Sequence, residues 1–479
     1  MVNGLGFLWH RANPSCLRTV GRAAFLTSVL NSAPSSNIMN MTFRPNFHLT
    51  EKETAMKKTD PQYAAYTKIL WDELKTAMGC TEPIAVAYAC AVARRTLGQL
   101  PERVRLSVSG NIIKNVKSVV VPNTGGKRGL ETAAAAGVVA ADADAELQCI
   151  SALGGEDIAA INDYLAQNRI EVYPLDTNRA FDIDVEVTSG ADHARVRIVD
   201  RHTNLVHISR NGEILLEREI PPVMEEDSLQ ELLTVEGILD YADSLDPEDI
   251  REPIARQISL NMAISDEGLR GRYGAMIGKE TLALSGQDLK ARLRSRAAAG
   301  SDARMSGCEL PVVIVSGSGN QGMTASVPVV EYARVKGLEE DRLYRALAVS
   351  NLLTVHQKTR IGRLSAFCGA VNAACAAVSA IAYLDGTGLD GVAHTLVNSL
   401  AIVSGMVCDG AKASCAAKIS LALEAGFMGY EMYKAGNEFH GGDGIVKKGV
   451  ERTLINVGRL GSDGMRETDR EILHMMVED

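Results

Sequence analysis

The chain has 479 residues, 46% of them hydrophobic and 23% charged, and its formal net charge at pH 7 is −9. This composition is ordinary for a globular protein of two or three domains, and the acidic balance argues against a nucleic-acid partner, which needs a basic face. Nine cysteines in a chain without a secretory signal favour free, catalytic or metal-bound thiols over a disulfide framework.

Residues 1–58 are predicted to be an extension outside the fold, either disordered or used for targeting. The first fifty residues contain no Asp or Glu, and Arg11, Arg18, Arg22 and Arg44 carry their charge. This composition is typical of an organelle transit peptide, but a translation start assigned too far upstream explains it equally well. We therefore expect a cytoplasmic protein, or a protein of an organelle matrix if the extension is a genuine transit peptide.

Residues 59–222 are predicted to form an α/β domain. Helical spacing of apolar residues runs through residues 61–98 and is interrupted at Gly79–Pro83, so that Cys80 precedes a second helix. Alternating patterns predict strands at residues 103–109, 116–122, 181–187, 194–199 and 204–210. The Asn-Gly pair at 211–212 favours a hairpin turn, and the sheet is expected to be mixed or antiparallel.

Residues 223–479 are predicted to form a mainly helical domain rich in small residues, so that the chain as a whole is an α+β protein. Residues 311–322 are expected to differ, as a buried strand that runs into a glycine turn. Residues 364–384 lack charge over about one bilayer span, but Ala, Ser, Cys and Asn dominate them. A helix buried inside the protein therefore explains this segment better than a membrane span does.

The segment GSGNQG at residues 317–322 matches the G-x-G-x-x-G pattern of dinucleotide-binding folds through Gly317, Gly319 and Gly322. A nicotinamide-dependent oxidoreductase is therefore one alternative function. Two features argue against it. Pro328 is expected to interrupt the helix that should begin at the last glycine, and no second βαβ half completes a dinucleotide-binding fold.

We interpret the same turn as an anion cradle. The side chains of Ser316, Ser318 and Asn320, together with backbone N–H groups, would hold the carboxylate of a substrate. Either Lys114 or Arg304 is expected to add a positive charge to this cradle.

Cys80 lies in the sequence GCTEP at residues 79–83, before the second predicted helix. The dipole and the free N–H groups at the start of a helix favour a thiolate, so Cys80 is a candidate base or nucleophile. The structural alternative is that Thr81 caps the helix and Cys80 only packs.

Three further cysteines, Cys368, Cys408 and Cys415, lie in stretches rich in Gly, Ala and Ser. Three thiolates can hold an iron–sulfur cluster and leave one iron without a protein ligand. Their spacing is unlike the dense C-x₂-C runs of ferredoxins, and free cysteine is among the most buried residue types. The spacing by itself leaves both a metal site and ordinary core packing open. A non-enzymatic iron–sulfur redox sensor is a second alternative function.

The candidate residues belong to a set of motifs with a fixed order. The motifs are GCTEP (79–83), SDARM (301–305), SGSGNQG (316–322), RLSAFC (363–368) and SGMVCDGAKASC (404–415). This set resembles the L-cysteine desulfidase family, whose C-terminal part is similar to the alpha chain of iron–sulfur L-serine dehydratases. The resemblance runs from about residue 60 to the end of the sequence.

The resemblance implies an oxygen-sensitive [4Fe–4S] cluster bound by Cys368, Cys408 and Cys415, with Cys80 as the residue that removes the α-proton. It also implies a lyase that converts L-cysteine to pyruvate, sulfide and ammonia without pyridoxal phosphate. Dehydration of L-serine to pyruvate and ammonia is the alternative reaction. We therefore expect a small amino acid as partner, with neither nucleic acid nor membrane, and the small-residue helices are compatible with a homodimer.

Overall fold

A mixed six-stranded sheet and a large set of helices make up the protein. The computed structural model describes residues 56–177, 179–220, 229–285, 288–362 and 365–477. Apart from residues 56–58, the predicted N-terminal extension lies outside these ranges. The sheet in the first half of the chain and the helices of the second confirm the predicted α+β class. The division of the chain at residue 222 stays a prediction.

Eight strands form two sheets in the described residues. They are β1 (Thr76–Met78), β2 (Arg103–Val108), β3 (Ile170–Pro174), β4 (Asp182–Ser189), β5 (Asp192–Val199), β6 (Leu205–Arg210), β7 (Glu213–Glu217) and β8 (Pro311–Val313). The larger sheet has the order β3-β2-β4-β5-β6-β7. β2 and β3 are parallel, whereas the other neighbouring strands are antiparallel, so the sheet is mixed.

β1 and β8 form the second sheet, a short antiparallel pair. Residues 76–78 pair with residues 311–313. This ladder places the segment before Cys80 beside the segment before Ser316, although the two are far apart in the sequence.

Sixteen α-helices contain most of the described residues. They are α1 (Pro61–Glu73), α2 (Thr81–Leu97), α3 (Gly110–Val116), α4 (Leu130–Ala140), α5 (Gly155–Ala166), α6 (Val235–Ser244), α7 (Arg251–Arg270), α8 (Ile277–Ser285), α9 (Leu289–Met305), α10 (Gly319–Lys336), α11 (Glu340–Ile361), α12 (Gly369–Leu384), α13 (Gly388–Val403), α14 (Ser414–Lys434), α15 (Val450–Arg459) and α16 (Arg466–Val477).

Small residues let these helices approach one another closely. A Cβ on Gly137 of α4 would lie 2.0 Å from the carbonyl oxygen of Ala87 in α2, so only glycine fits at this contact. The uncharged segment predicted to be a buried helix is α12, which packs against α10, α11, α13 and α14. No helix of the described residues is long and apolar enough to cross a membrane.

Three local predictions are wrong. The first predicted helix does not continue to residue 78, because α1 ends at Glu73 and residues 76–78 form β1. Residues 116–122 are not a strand, because α3 ends at Val116 and the following residues form a turn and an isolated bridge between Val120 and Arg128. The valines of this segment are buried in irregular backbone, and burial gives them the apolar pattern of a strand. Pro328 does not interrupt a helix, because α10 continues through it.

The continuation of α10 has a packing explanation. A proline inside a helix costs about 3 kcal/mol or more through a lost hydrogen bond and a steric clash. α10 is buried over most of its length between α7, α9, α11 and α12. Tertiary packing on all sides therefore offsets a penalty that would end an exposed helix.

Two hydrophobic cores lie on either side of the Cys80 turn. α1 and β1 contribute to the core of the C-terminal helices, which includes Leu70 and Ala77. α2 contributes to the core under the larger sheet, beginning at Ile84. The chain passes from one core to the other at residues 78–83, and Cys80 forms a small cluster of its own there with residues that include Met305.

Candidate active site

A cavity of about 350 Å³ lies at this junction of the two cores. The starts of α2, α10 and α12, the end of α9 and the loop between α13 and α14 contribute to its wall. Of the predicted site residues, those that line it are Cys80, Arg304, Ser316, Ser318, Asn320, Cys368, Cys408 and Cys415. The fold therefore brings together residues that are more than three hundred positions apart in the sequence.

Cys80 is the N-cap residue of α2 and is buried. Its thiol donates a hydrogen bond to Oε2 of Glu82 at 3.1 Å. Burial and the negative charge of Glu82 raise the pKa of the Cys80 thiol well above its usual range, and the nearby Arg304 opposes this only in part. Burial and the charge of Glu82 thus oppose the thiolate that the start of the helix is expected to favour.

Thr81 connects the Cys80 turn to the glycine turn of the second half of the chain. Its Oγ1 lies 2.8 Å from the carbonyl oxygen of Gly317 and 3.0 Å from Oε2 of Glu82. Sequence reasoning did not single out Glu82, which also lines the cavity. A carboxylate two residues after a candidate base, in the first turn of the same helix, is the signal that could have identified it.

The predicted anion cradle is the turn that leads into α10. Ser316 has a left-handed conformation with φ of 49°, and its N–H donates to a carboxylate oxygen of Glu73 at 2.9 Å. Ser318 is the N-cap of α10 and accepts a hydrogen bond from the N–H of Gln321. The N–H groups of Ser316 and Gln321 are thus already used, and the remaining donors of the cradle are the N–H groups of Gly319 and Asn320 in the first turn of α10.

Three buried polar groups of the cavity wall have no hydrogen-bond partner within the described residues. They are Nε of Arg304, Oδ1 of Asn320 and Oε1 of Gln321. Arg304 is only 2% exposed, and its guanidinium lies against Gly319, where a Cβ would be 2.4 Å from Nε. Buried polar groups without a partner are costly, so a ligand with both a carboxylate and an ammonium group suits this wall.

Lys114 does not reach the cavity. It is buried and forms an ion pair with Asp469 of α16, and its neighbour Asn115 lines the cavity instead. A Cβ on Gly410 would lie 2.3 Å from the carbonyl oxygen of Lys114. The structure therefore places Lys114 against the loop that carries Cys408, not against a substrate.

The three C-terminal cysteines lie at the starts of two helices and in the loop between α13 and α14. Cys368 is the N-cap residue of α12, and an isolated bridge between Phe367 and Val407 sets it beside Cys408. The N–H of Cys368 donates to Met406 O at 3.1 Å. Cys415 is the second residue of α14, and the loop between α13 and α14 contains Cys408.

Charges around these thiols are balanced locally. Burial and the thiols of Cys408 and Cys415 raise the pKa of the Cys368 thiol to about 12, whereas the ammonium group of Lys418 acts in the opposite direction. Lys412 and Lys418 both pair with Asp409, next to Cys408. Thiolates at this wall would therefore face two lysines.

Cys368, Cys408 and Cys415 supply three sulfur donors, the type of ligand that holds an iron–sulfur cluster. They lie in one cavity wall, close enough to influence one another's pKa, and Lys412 and Lys418 lie nearby. In residue type, this wall therefore fits such a cluster. In the part of the chain that the structure describes, no group of three His, Cys, Asp or Glu side chains is placed to hold a single metal ion.

The glycine turn lacks the setting of a dinucleotide site. The strand before it, β8, pairs with β1 in the antiparallel two-stranded sheet. A dinucleotide fold instead places the turn at the end of a strand in a parallel sheet. Gly322 instead allows α10 to pack closely against β8, because a Cβ on Gly322 would lie 2.0 Å from the carbonyl oxygen of Val313.

Known proteins are similar to this chain over most of its length. Residues 213–474 match the family model described as serine dehydratase alpha chain. The chain is 52% identical over 423 residues to the UPF0597 protein of Desulfitobacterium hafniense, covering 88% of this chain and 98% of that protein. The UPF0597 protein of Treponema denticola is 42% identical over 425 residues (87% and 99%), and that of Finegoldia magna is 43% identical over 415 residues (86% and 99%).

Proposed function

The chain belongs to the UPF0597 family, which is related to the serine dehydratase alpha chain, and we propose that it is an iron–sulfur-dependent lyase. The proposed reaction is the α,β-elimination of L-cysteine to pyruvate, sulfide and ammonia without pyridoxal phosphate. One observation carries the proposal: Cys80 lines the same cavity as Arg304 and the three C-terminal cysteines. The site therefore combines a candidate base, a candidate carboxylate-binding cation and three candidate cluster ligands.

Dehydration of L-serine to pyruvate and ammonia is the second candidate function. The match of residues 213–474 to the serine dehydratase alpha chain favours it. L-serine and L-cysteine differ only in the atom that leaves, so one arrangement of binding residues suits both substrates.

Cys368, Cys408 and Cys415 would hold a [4Fe–4S] cluster. When bound, such a cluster supplies a Lewis-acidic iron that stabilises the negative charge on a leaving sulfur or oxygen. Lys412 and Lys418, which both pair with Asp409, would add positive charge near these thiolates.

The chain's own residues would bind and orient the amino acid. Arg304 and the first turn of α10 hold the carboxylate, because a buried guanidinium and helix N–H groups both favour an anion. The acceptor oxygens of Asn320 and Gln321 receive the α-ammonium group. Ser316 and Ser318 complete this wall, and Cys80 removes the α-proton.

Anaerobic purification and a paired assay test the proposal. The protein should be brown and should release pyruvate from L-cysteine, with L-serine as the comparison. Cys408→Ser should lose both the visible absorbance and the activity, and Cys80→Ser should keep the absorbance and lose turnover. Cys375→Ala is the matched control, because Cys375 lies in the same helix as the Cys368 N-cap but outside the cavity wall. A colourless, iron-free protein with undiminished turnover would overturn the proposal.

A further inference from the structure

We infer that Glu82 is a further catalytic residue, which accepts the thiol proton of Cys80 and later delivers a proton to the leaving group. This inference rests on the proposed elimination and adds the route of the protons to it. The evidence is the arrangement of residues 80–82 at the start of α2, where a thiol, a hydroxyl and a carboxylate form one hydrogen-bonded group.

The first step follows from the hydrogen bond that the Cys80 thiol donates to Glu82. A neutral thiol cannot take the α-proton of a substrate until its own proton has left. Other titratable side chains of the cavity wall, apart from the cysteines, are Glu73, Asp200, Arg201, His202, Arg304 and Lys358. Among the described hydrogen bonds of the Cys80 thiol, the acceptor is Oε2 of Glu82 at 3.1 Å. The proton therefore has a short path to a carboxylate that itself faces the cavity.

The second step concerns the stability of Glu82 in both protonation states. The hydroxyl of Thr81 has one hydrogen but lies within hydrogen-bond distance of two acceptors, Gly317 O and Glu82 Oε2. When Glu82 is ionised, Thr81 can turn its hydrogen towards the carboxylate. When Glu82 is protonated, Thr81 can donate to Gly317 and accept the hydrogen bond of the carboxylic acid. The site thus satisfies either form without moving the backbone.

The protons balance over one turnover. The thiol proton of Cys80 passes to Glu82, and the resulting thiolate takes the α-proton of the substrate. The bond from the β-carbon to sulfur or oxygen breaks, and its electron pair leaves with the leaving group. Glu82 gives its proton to that group, which departs as hydrogen sulfide or water. Cys80 again carries a proton and Glu82 is again ionised, so no proton from solvent is needed.

A purely electrostatic role of Glu82 makes the opposite prediction. Its negative charge opposes ionisation of the Cys80 thiol, so neutralising it would increase the thiolate fraction. If Glu82 did no more than this, Glu82→Gln would react at least as fast as the wild type. A proton relay predicts instead that Cys80 becomes easier to alkylate while catalysis is lost.

Glu82→Gln is the central variant, because it keeps the shape of the side chain and removes its ability to accept a proton. Glu131→Gln is the matched control: Glu131 is likewise the second residue of a helix, α4, but lies outside the cavity wall. Glu82→Asp keeps a carboxylate in the same turn. Thr81→Val preserves both the thiol and the carboxylate and removes the hydroxyl between Glu82 and Gly317.

Three measurements on the anaerobically prepared protein separate the roles. Pyruvate release from L-cysteine and L-serine gives kcat and KM. Deuterium uptake at the α-carbon of L-alanine, which has no leaving group, follows proton abstraction alone. Alkylation of Cys80 by iodoacetamide, quantified on its peptide by mass spectrometry, follows thiolate formation. The visible spectrum of each variant reports whether the cluster is intact.

Glu82→Gln should lower kcat by about 10²–10⁴-fold, the usual contribution of a positioned acid or base, with a small change in KM. Alanine exchange needs the Cys80 thiolate but no proton for a leaving group, so it should not fall with kcat. Alkylation of Cys80 should become faster, and the spectrum should stay unchanged. Glu82→Asp should recover part of the rate, and Thr81→Val should show a smaller loss. Glu131→Gln should match the wild type in every measurement.

The outcomes distinguish this inference from the proposed function. Wild-type kcat in Glu82→Gln would overturn the role of Glu82 and leave the lyase proposal standing. A wild type that exchanges alanine but releases no pyruvate would overturn the lyase proposal and, with it, the delivery of a proton from Glu82 to a leaving group. A wild type that does neither overturns both.

Discussion

The buried ion pair between Lys114 and Asp469 predicts how strongly the C-terminal helix is attached. Lys114 is 2% exposed and Asp469 is 20% exposed. Asp469→Asn leaves an ammonium group in a site with almost no water, and removing one partner of a buried pair costs about 3–5 kcal/mol. Lys114→Met instead leaves a carboxylate that can still reach solvent, so its cost should be smaller. The double variant should recover part of the loss, because no unpaired charge remains.

Urea unfolding followed by circular dichroism measures these differences as shifts in the free energy of unfolding. Glu467→Gln is the matched control, because Glu467 lies on the same helix with its side chain 80% exposed. We expect the order of stability to be wild type, then the double variant, then Asp469→Asn. A cost of Asp469→Asn below about 1 kcal/mol, the value of a surface pair, would refute the reasoning, as would a double variant less stable than Asp469→Asn.

Three further predictions concern the site and its surroundings. Gly322→Ala should lower the free energy of unfolding by about 1–3 kcal/mol, because its methyl group would meet the carbonyl oxygen of Val313 at 2.0 Å; Gly154→Ala, in open space, is the thermal-denaturation control. Arg304→Met should reduce kcat/KM for the amino acid by about ten- to a hundredfold, as expected for lost charge-assisted hydrogen bonds, and an unchanged kcat/KM would remove Arg304 from the substrate site. Burial raises the pKa of Asp302 to about 6, so its contribution to stability is fully present below about pH 4 and is lost as the pH rises through about 6. Asp302→Asn should therefore flatten the pH dependence of stability between those values, and a profile identical to that of the wild type would contradict this.

Much of the fold follows from local patterns in the sequence. The antiparallel strands around the Asn-Gly pair at 211–212 and the uncharged helix α12 are found where periodicity and turn chemistry predicted them. Local patterns mislead at residues 116–122 and at Pro328, because burial in the folded protein decides the backbone conformation at both places. A buried irregular segment and a buried strand have the same apolar composition, and a packed helix tolerates a proline that an exposed helix would not.

Prediction of the candidate site from the sequence is limited in the same way. Cys80 and the C-terminal cysteines stood out because their residue type is rare and their motifs are ordered. Lys114 had equally suitable chemistry, but its partner Asp469 is far away in the sequence, so the ion pair could not be foreseen. Glu82 and Gln321 are common residue types whose relevance comes from a hydrogen-bond distance and from a buried oxygen without a partner. Such properties exist only once the chain has folded.

The register in which β1 pairs with β8 determines how the Cys80 segment and the Ser316 segment are aligned in the site. Cys80 comes two residues after the end of β1, and Ser316 comes three residues after the end of β8. A slip of one residue in this ladder would displace one segment along the other by about 3.3 Å and reverse the faces of its side chains. One residue inserted between β1 and Cys80 should therefore abolish turnover, whereas the same insertion in the hairpin at 211–212 should be tolerated. We therefore expect insertions and deletions to be compatible with turnover only where they cannot move Cys80 and Ser316 past each other.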